Sequence, residues 1–410
     1  MGRRQGKAIA CFLVLALLAT FCSGCHRATG AGVTIRIGYI TDVTGPGSPI
    51  LIHFTYILED LVRYYNEEDP IPGVKIKVVT YDTKADAGRD IPGYDWVRDR
   101  GAQVIIVCLA VTAETVKSFA ERDKIPVAVM PSTKALIEPP GWAFCFSYPA
   151  SYAVETLLKW ISEERWDWET KGPAKIGCVS WSESYSVDVE EGMQEYCQAH
   201  PDKFDYVAGL LPPRGTMTWV GEVERLKDCD YIAIPNIPIA TGTFVKEFRA
   251  GGNNAVFIGP DAVTASRDYL VKMCGWEAID GMLTTNFTRT WSEPSPLVDL
   301  AKELLYKYHP ERAEDIISAG MGYLGGFHSL YTFFDLLQKV VEEVGSENFD
   351  SQAFYDEAMR FKTNWEGYPE WGFTETIRYS VKHTAIYEAR ADVNDVVRVS
   401  DWLPVTGVAE

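Results

Sequence analysis

Histidine is scarce in this chain of 410 residues, with six in all. None falls in a HExxH or GxSxG context, and no CxxC pair occurs among the six cysteines beyond residue 25. A hydrolase needs a nucleophile and a base brought together, and a zinc site needs clustered ligands, so neither chemistry has local support. The expectation is a protein that is not an enzyme and carries no metal and no cofactor. Basic residues are also in deficit: 39 Lys and Arg stand against 57 Asp and Glu, for a formal charge of −18. Phosphate backbones and anionic membrane surfaces call for clustered cations, so nucleic acid is not an expected partner. The chain has no low-complexity tract, no repeat period and no second long apolar run after its first residues. A core-forming composition remains, 47% hydrophobic, with a length that suggests two domains.

The N-terminus carries the sharpest compositional signal. Arg3, Arg4 and Lys7 precede an unbroken apolar run from Ala8 to Phe21, followed by small residues. This is the layout of a secretory signal, and the run is too short for the roughly 20 residues of a membrane-spanning helix. Ser23-Gly24-Cys25 is similar to a bacterial lipobox, in which cleavage precedes a cysteine that then receives a lipid. The expectation is a signal peptide over 1–24, a lipid on Cys25, and a linker over 25–32. The mature protein would then be extracytoplasmic and tethered to a membrane; an ordinary cleaved signal is the alternative. Cys108, Cys145, Cys178, Cys197, Cys229 and Cys274 could pair in an exported protein, but their spacing fixes no connectivity. Cys108 and Cys178 lie in apolar strand-like runs, where a buried free thiol fits equally well.

Beyond the linker, short β-branched runs alternate with longer amphipathic ones. VTIRIGYI leads to LIHFTYILEDLVRYY; VKIKVVTYD, VIIVCL and IPVAVM follow, with TAETVKSFAERD between the last two. Strand and helix repeated in this way mark a parallel sheet covered by helices. A second series begins near residue 150 with KIGCVSW, VDVEEGMQEYCQAH, DYIAIP and AVFIGP. Long helical patterns then appear at 295–308 and 326–344, and strand-like TAIYEA and VVRVSDWL close the chain.

Taken in order, FCSGC, TDVTGPGS, VVTYDTKAD, VIIVCLAVTAETV, DKIPVAVMPSTKAL, SWSESYSVDV, VFIGPDA and DGMLTTN resemble the substrate-binding proteins of branched-chain amino acid ABC transporters. These are type I periplasmic binding proteins, leucine-binding-protein-like. The resemblance implies an α/β fold of two doubly wound Rossmann-like lobes joined by crossover strands, with the ligand in the cleft between them. It places lobe I at 33–148 and 285–380 and lobe II at 149–284 and 381–410. It also implies a receptor for a small amino acid that docks on a membrane-embedded ABC permease.

Open α/β sheets bind ligands at the carboxyl ends of their strands. Thr112 follows VIIVCL and reads as the N-cap of the next helix, where free amides and the helix dipole favour a carboxylate. The resemblance assigns Thr112, with the adjacent Ala113, to the ligand carboxylate; a plain cap is the alternative. Ser132 and Thr133 match the family's contacts to the ligand's ammonium and carboxylate, or they are turn residues after Pro131. Asp261 matches the acidic residue of lobe II that pairs with the ligand ammonium, or it is a helix N-cap or loop residue; Tyr185 matches the aromatic laid against the ligand, or it is a core aromatic. Asp42, Thr44 and Gly45 are weaker candidates for the cleft wall, whereas Asp82 and Asp86 read as organisers of a loop. The family's glycine, proline and paired serine are replaced by Val107, Leu109 and Ala110. Fewer hydroxyls then face the pocket, which leaves an aromatic or other carboxylic acid, or an amide, as the alternative ligand, and a sensing subunit as the alternative role.

The stretch AGMGYLGGFH contains GxGxxG at Gly320, Gly322 and Gly325. A dinucleotide fingerprint must join a strand to a helix, but here a helical pattern lies on both sides. The glycines therefore read as small residues that let a helix start pack closely.

Overall fold

The computed structural model describes residues 32–45, 47–235 and 238–407. The signal at 1–24, the lipidation candidate Cys25 and the linker up to residue 31 lie outside the described residues. Five strands, Val33–Thr41 (β1), Val74–Asp82 (β2), Val104–Val107 (β3), Val127–Val129 (β4) and Ala143–Cys145 (β5), form an all-parallel sheet. Their order is β2-β1-β3-β4-β5. Every residue of β3 and β4 is buried, which is why these strands read as continuous apolar runs rather than as alternation. This sheet is the heart of lobe I.

Lobe II is built on Ala174–Val179 (β6), Phe204–Leu210 (β7), Tyr231–Ala233 (β8), Val256–Gly259 (β9) and Leu283–Asn286 (β10). A short pair, Lys362–Thr363 (β11) and Trp371–Gly372 (β12), stands apart from both sheets. The last strands, His383–Arg390 (β13), Asp395–Arg398 (β14) and Leu403–Pro404 (β15), complete the second sheet in the order β14-β13-β10-β9-β8-β6-β7, with β15 on β13. The β6 to β10 pairs are parallel, while β10-β13 and β13-β14 are antiparallel. The strand-helix alternation predicts only parallel pairs. β13 differs because the chain reaches it from lobe I, without a crossover helix on its own sheet.

Between β10 and β13 the chain returns to lobe I. Helices Pro296–Tyr308 and Gly322–Val344 pack with Ser48–Glu67 over the first sheet. On Gly322–Val344 the buried residues Phe327, Leu330, Phe334, Leu337 and Val341 recur at helical spacing, giving one apolar face against Ile57, Leu58 and Leu61. All three passages between the lobes meet at Tyr148. Its ring stands edge-on to Phe287 at 5.4 Å, and its hydroxyl lies 3.4 and 3.3 Å from those of Thr285 and Thr384.

The six cysteines from Cys108 to Cys274 are free thiols, and five of them are buried. No helix among the described residues is long and apolar enough to cross a membrane.

The glycine-rich stretch sits where lobe I's longest helix begins. Gly320 has φ +137°, and a Cβ there would lie 2.5 Å from the Thr264 carbonyl oxygen; at Gly322 it would lie 2.6 Å from that of Ala265. At Gly325 the nearest atom would be 3.9 Å away. Packing at backbone distance thus explains two of the three glycines. Gly322→Val is expected to destabilise the protein by about 1–3 kcal/mol through overpacking, while Gly325→Ala leaves the melting temperature unchanged or slightly raised. Equal melting temperatures for the two variants would remove this explanation.

Candidate ligand-binding site

Where β3 and β4 end in lobe I, and β6, β9 and β10 end in lobe II, the lobes enclose a cavity of about 400 Å³. That is within the ~300–1,000 Å³ of small-molecule sites. Leu51, Phe54, Met130, Tyr148, Phe287 and Met321 give it a predominantly apolar wall. Polar side chains reach it from both lobes, among them His53, Asp90 and Thr112 from lobe I and Ser184, Tyr185 and Asp261 from lobe II.

In lobe I the chain leaves β3 and enters helix Ala110–Asp123, with Leu109 as N-cap in an extended conformation and no side-chain cap. The expected cap, Thr112, stands instead at the third helical position. The reason is that the helix already closes its first turn from Ala113 N–H to Leu109 C=O at 3.0 Å, two residues after β3 ends. The correction leaves the chemistry in place: the amides of Ala110, Val111 and Thr112 have no intrahelical acceptor, and all three residues line the cavity. The Thr112 hydroxyl is 2.9 Å from the Asp90 carboxyl, which is also part of the wall.

In lobe II, Asp261 follows β9 and faces the cavity. It keeps some exposure toward the cavity, yet protein crowds it on its other sides, and burial raises its pKa to about 6. A hydrogen bond from Tyr185 and backbone amides at 261 and 262 oppose that rise without cancelling it. Burial and the negative charge of Asp261 push the Tyr185 phenol well up, so it remains a donor. No cation among the described residues neutralises Asp261: Arg214, also in the wall, is paired with Glu183 at 3.6 Å.

The lobes are also tied directly. Glu114 accepts from Thr133 Oγ1 at 2.5 Å within lobe I and from Ser184 Oγ at 2.8 Å across the cleft. Asp188 of lobe II accepts from the backbone amide of Lys134 at 2.8 Å and from that of Ser151 at 2.7 Å. This is the arrangement of two lobes closed on each other.

Of the residues expected from sequence, Thr112, Tyr185 and Asp261 meet in one cavity. Ala113 is fully buried in the core beneath the helix, and Ser132 and Thr133 are buried behind Pro131. Thr133 still bears on the site, because it orients Glu114. Asp42, Thr44 and Gly45 shape the first loop. Asp42 accepts from Gly45 and Gly47 amides, and Asp82 from Val43 N at 2.9 Å and Thr44 Oγ1 at 2.6 Å. Asp86 caps a short 3-10 turn through Gly88 N. Sequence reasoning missed His53, Phe54, Asp90 and Arg214. His53 and Phe54 lie in a helix whose apolar pattern reads as core, and nothing in the polar stretch around Asp90 or in LPPRG marks a site.

The arrangement is that of a ligand-capturing protein. The periplasmic binding protein family model matches residues 34–390, and the chain belongs to that family. Among solved structures it is similar to a branched-chain amino acid ABC transporter protein of Thermus thermophilus with bound valine. The TM-score is 0.81 at 18% identity, covering 92% of this chain and 98% of that one. It is also similar to an ABC transporter solute-binding protein of Rhodopseudomonas palustris in complex with 3,4-dihydroxybenzoic acid, with TM-score 0.73, 17% identity and coverages of 92% and 99%. A branched-chain amino acid transporter binding protein of Streptococcus pneumoniae in complex with isoleucine gives TM-score 0.72 at 16% identity, with coverages of 90% and 99%. At these identities the likeness establishes the fold, two α/β lobes about a cleft. No curated protein sequence matches.

Proposed function

We propose that the chain is the extracytoplasmic receptor of an ABC importer, capturing a small amino acid of branched-chain type by closing its lobes. One observation carries the reading: a single cavity sets the uncapped helix start at Ala110–Thr112 in lobe I against the unpaired carboxyl of Asp261 in lobe II. A zwitterion complements both ends, its carboxylate on the amides and its ammonium on Asp261 and Tyr185. Leu51, Phe54, Met130 and Phe287 then receive an aliphatic side chain. Closure is a hinge motion about the Tyr148 crossing, favoured by a ligand that touches both lobes. Lobe I would comprise 33–148 and 285–380, lobe II 149–284 and 381–410, with a lipid on Cys25 holding the receptor near its permease.

A second reading, an aromatic carboxylic acid, draws support from Phe54, Tyr148, Tyr185 and Phe287 in the wall. A thermal-shift series with valine, leucine, isoleucine, 4-hydroxybenzoate and short amides separates the two. A ligand at 100 times its Kd stabilises by about 2.7 kcal/mol, an easily read shift. If only aromatic acids raise the melting temperature, the amino-acid reading is lost.

A further inference from the structure

Asp90 opens helix Asp90–Asp99 and is 2% exposed in the cavity wall. Its Oδ1 lies 2.9 Å from Thr112 Oγ1, while Oδ2 is buried with no hydrogen-bond partner among the described residues. An ionised carboxyl with an orphan oxygen and no cation is costly away from water, and the cost falls if the group carries a proton. Burial, reinforced by the nearby Asp86, raises its pKa against the opposing Thr112 and Thr115 hydroxyls. No cation among the described residues relieves it. Arg89 directs its guanidinium at the Asp82 carbonyl oxygen, at 3.2 and 2.9 Å, and the Asp42 and Asp82 carboxylates are held by loop amides. His53, in the same cavity, has its pKa lowered by burial and is neutral at pH 7.

A threonine hydroxyl has one hydrogen to place. Beside ionised Asp90 it points at the carboxylate, and Thr112 shows only lone pairs to the cavity. Beside neutral Asp90 the carboxyl donates to Oγ1, and the hydroxyl hydrogen is free to turn inward. We propose that Asp90 is a positioning residue of the lobe I anion site, which in its neutral form turns the Thr112 hydroxyl into a donor for the ligand's carboxylate. The inference rests on the reading of the site given above. A carboxylate arriving beside the pair makes ionisation of Asp90 costlier still, so at a pH where Asp90 is ionised in the free protein, binding takes up as much as one proton from solvent onto Asp90.

The test is calorimetric titration of the full mature protein with L-leucine and with 4-hydroxybenzoate, from pH 5 to 8, in buffers of contrasting ionisation enthalpy. D90N presents a permanent amide donor to Thr112 Oγ1. It is expected to bind more tightly than wild type at pH 8, by tenfold or more, and to lose the proton uptake. The ratio of wild-type to D90N Kd rises with pH, by up to about tenfold per unit above the Asp90 pKa, and any titration at Asp261 cancels in that ratio. In a Thr112→Val background the ratio is expected to be flat; if D90N folds poorly, the ratio of wild-type to Thr112→Val Kd replaces it, and a ratio constant from pH 5 to 8 overturns the role of Asp90. If a probe binds but the ratio is independent of pH, or D90N retains the proton uptake, the role of Asp90 is overturned while the site stands. If neither probe binds, the reading of the site fails and this inference with it.

Discussion

Asp261→Asn is expected to weaken binding of an amino-acid ligand about a hundredfold, ~2.7 kcal/mol, with the fold retained and the melting temperature of the ligand-free protein at pH 7.5 unchanged or raised, because a buried charge is removed. On the proposed reading the ligand's ammonium supplies the counter-charge that Asp261 lacks among the described residues, since the guanidinium in the wall, Arg214, is paired with Glu183. Removing the negative charge leaves a buried ammonium without its partner. For an aromatic acid the sign reverses: deleting a carboxylate that repels the ligand should tighten binding. Titration of L-leucine and 4-hydroxybenzoate against both proteins at pH 7.5 reads both signs. An unchanged affinity for leucine would take Asp261 out of the site.

The same carboxyl gives a pH signature. Its pKa of about 6 means that below pH 6 a proton competes with the ammonium, so amino-acid affinity should fall by about tenfold per unit there and D261N should lack that limb. In the ligand-free protein the raised value favours the protonated folded state. The stability this contributes is fully present below the ordinary pKa near 3.8 and is lost as pH rises through about 6. A bound ammonium opposes that loss above pH 6.

The largest effect on stability is expected at Phe333. It is fully buried at the centre of lobe I, with the rings of Phe146, Phe334 and Phe354 each 5.6 Å away by centroid. These rings come from β5's exit, from the long helix Gly322–Val344 and from helix Ser351–Ala358, so a void here loosens three elements at once. Phe333→Ala should cost about 3–5 kcal/mol, from lost transfer energy plus the cavity left behind, whereas Phe333→Leu should cost well under half of that. Urea unfolding followed by tryptophan fluorescence and by circular dichroism measures both. A loss below about 1 kcal/mol for the alanine variant would show that this cluster is not the packing centre of the lobe.

Much of the architecture was legible because it is written in local periodicity. β-branched runs such as VIIV and VAV, separated by amphipathic helices, dictate parallel strands buried on both faces wherever they occur. Three cavity-lining residues were legible for a related reason: Thr112, Tyr185 and Asp261 each follow a strand within a few residues, and the carboxyl ends of strands in open sheets point into the cleft. The sequence alone also excluded a dinucleotide site at Gly320–Gly325, since helical patterns flank it on both sides.

Other features depend on which segments the fold brings together, and no period within a window carries that information. The helix after β3 starts at Ala110, so Leu109 caps it and Thr112 falls in its first turn. His53, Phe54 and Asp90 converge on one cavity from a helix that reads as core and a stretch that reads as loop. Glu114 meets Ser184, and Asp188 meets Lys134, only because the lobes face each other. The character of Asp261 follows from the same cause. Sequence placed an acid at the end of a strand; only tertiary packing, by removing water and bringing no cation to it among the described residues, turned it into a carboxyl with a pKa raised to about 6.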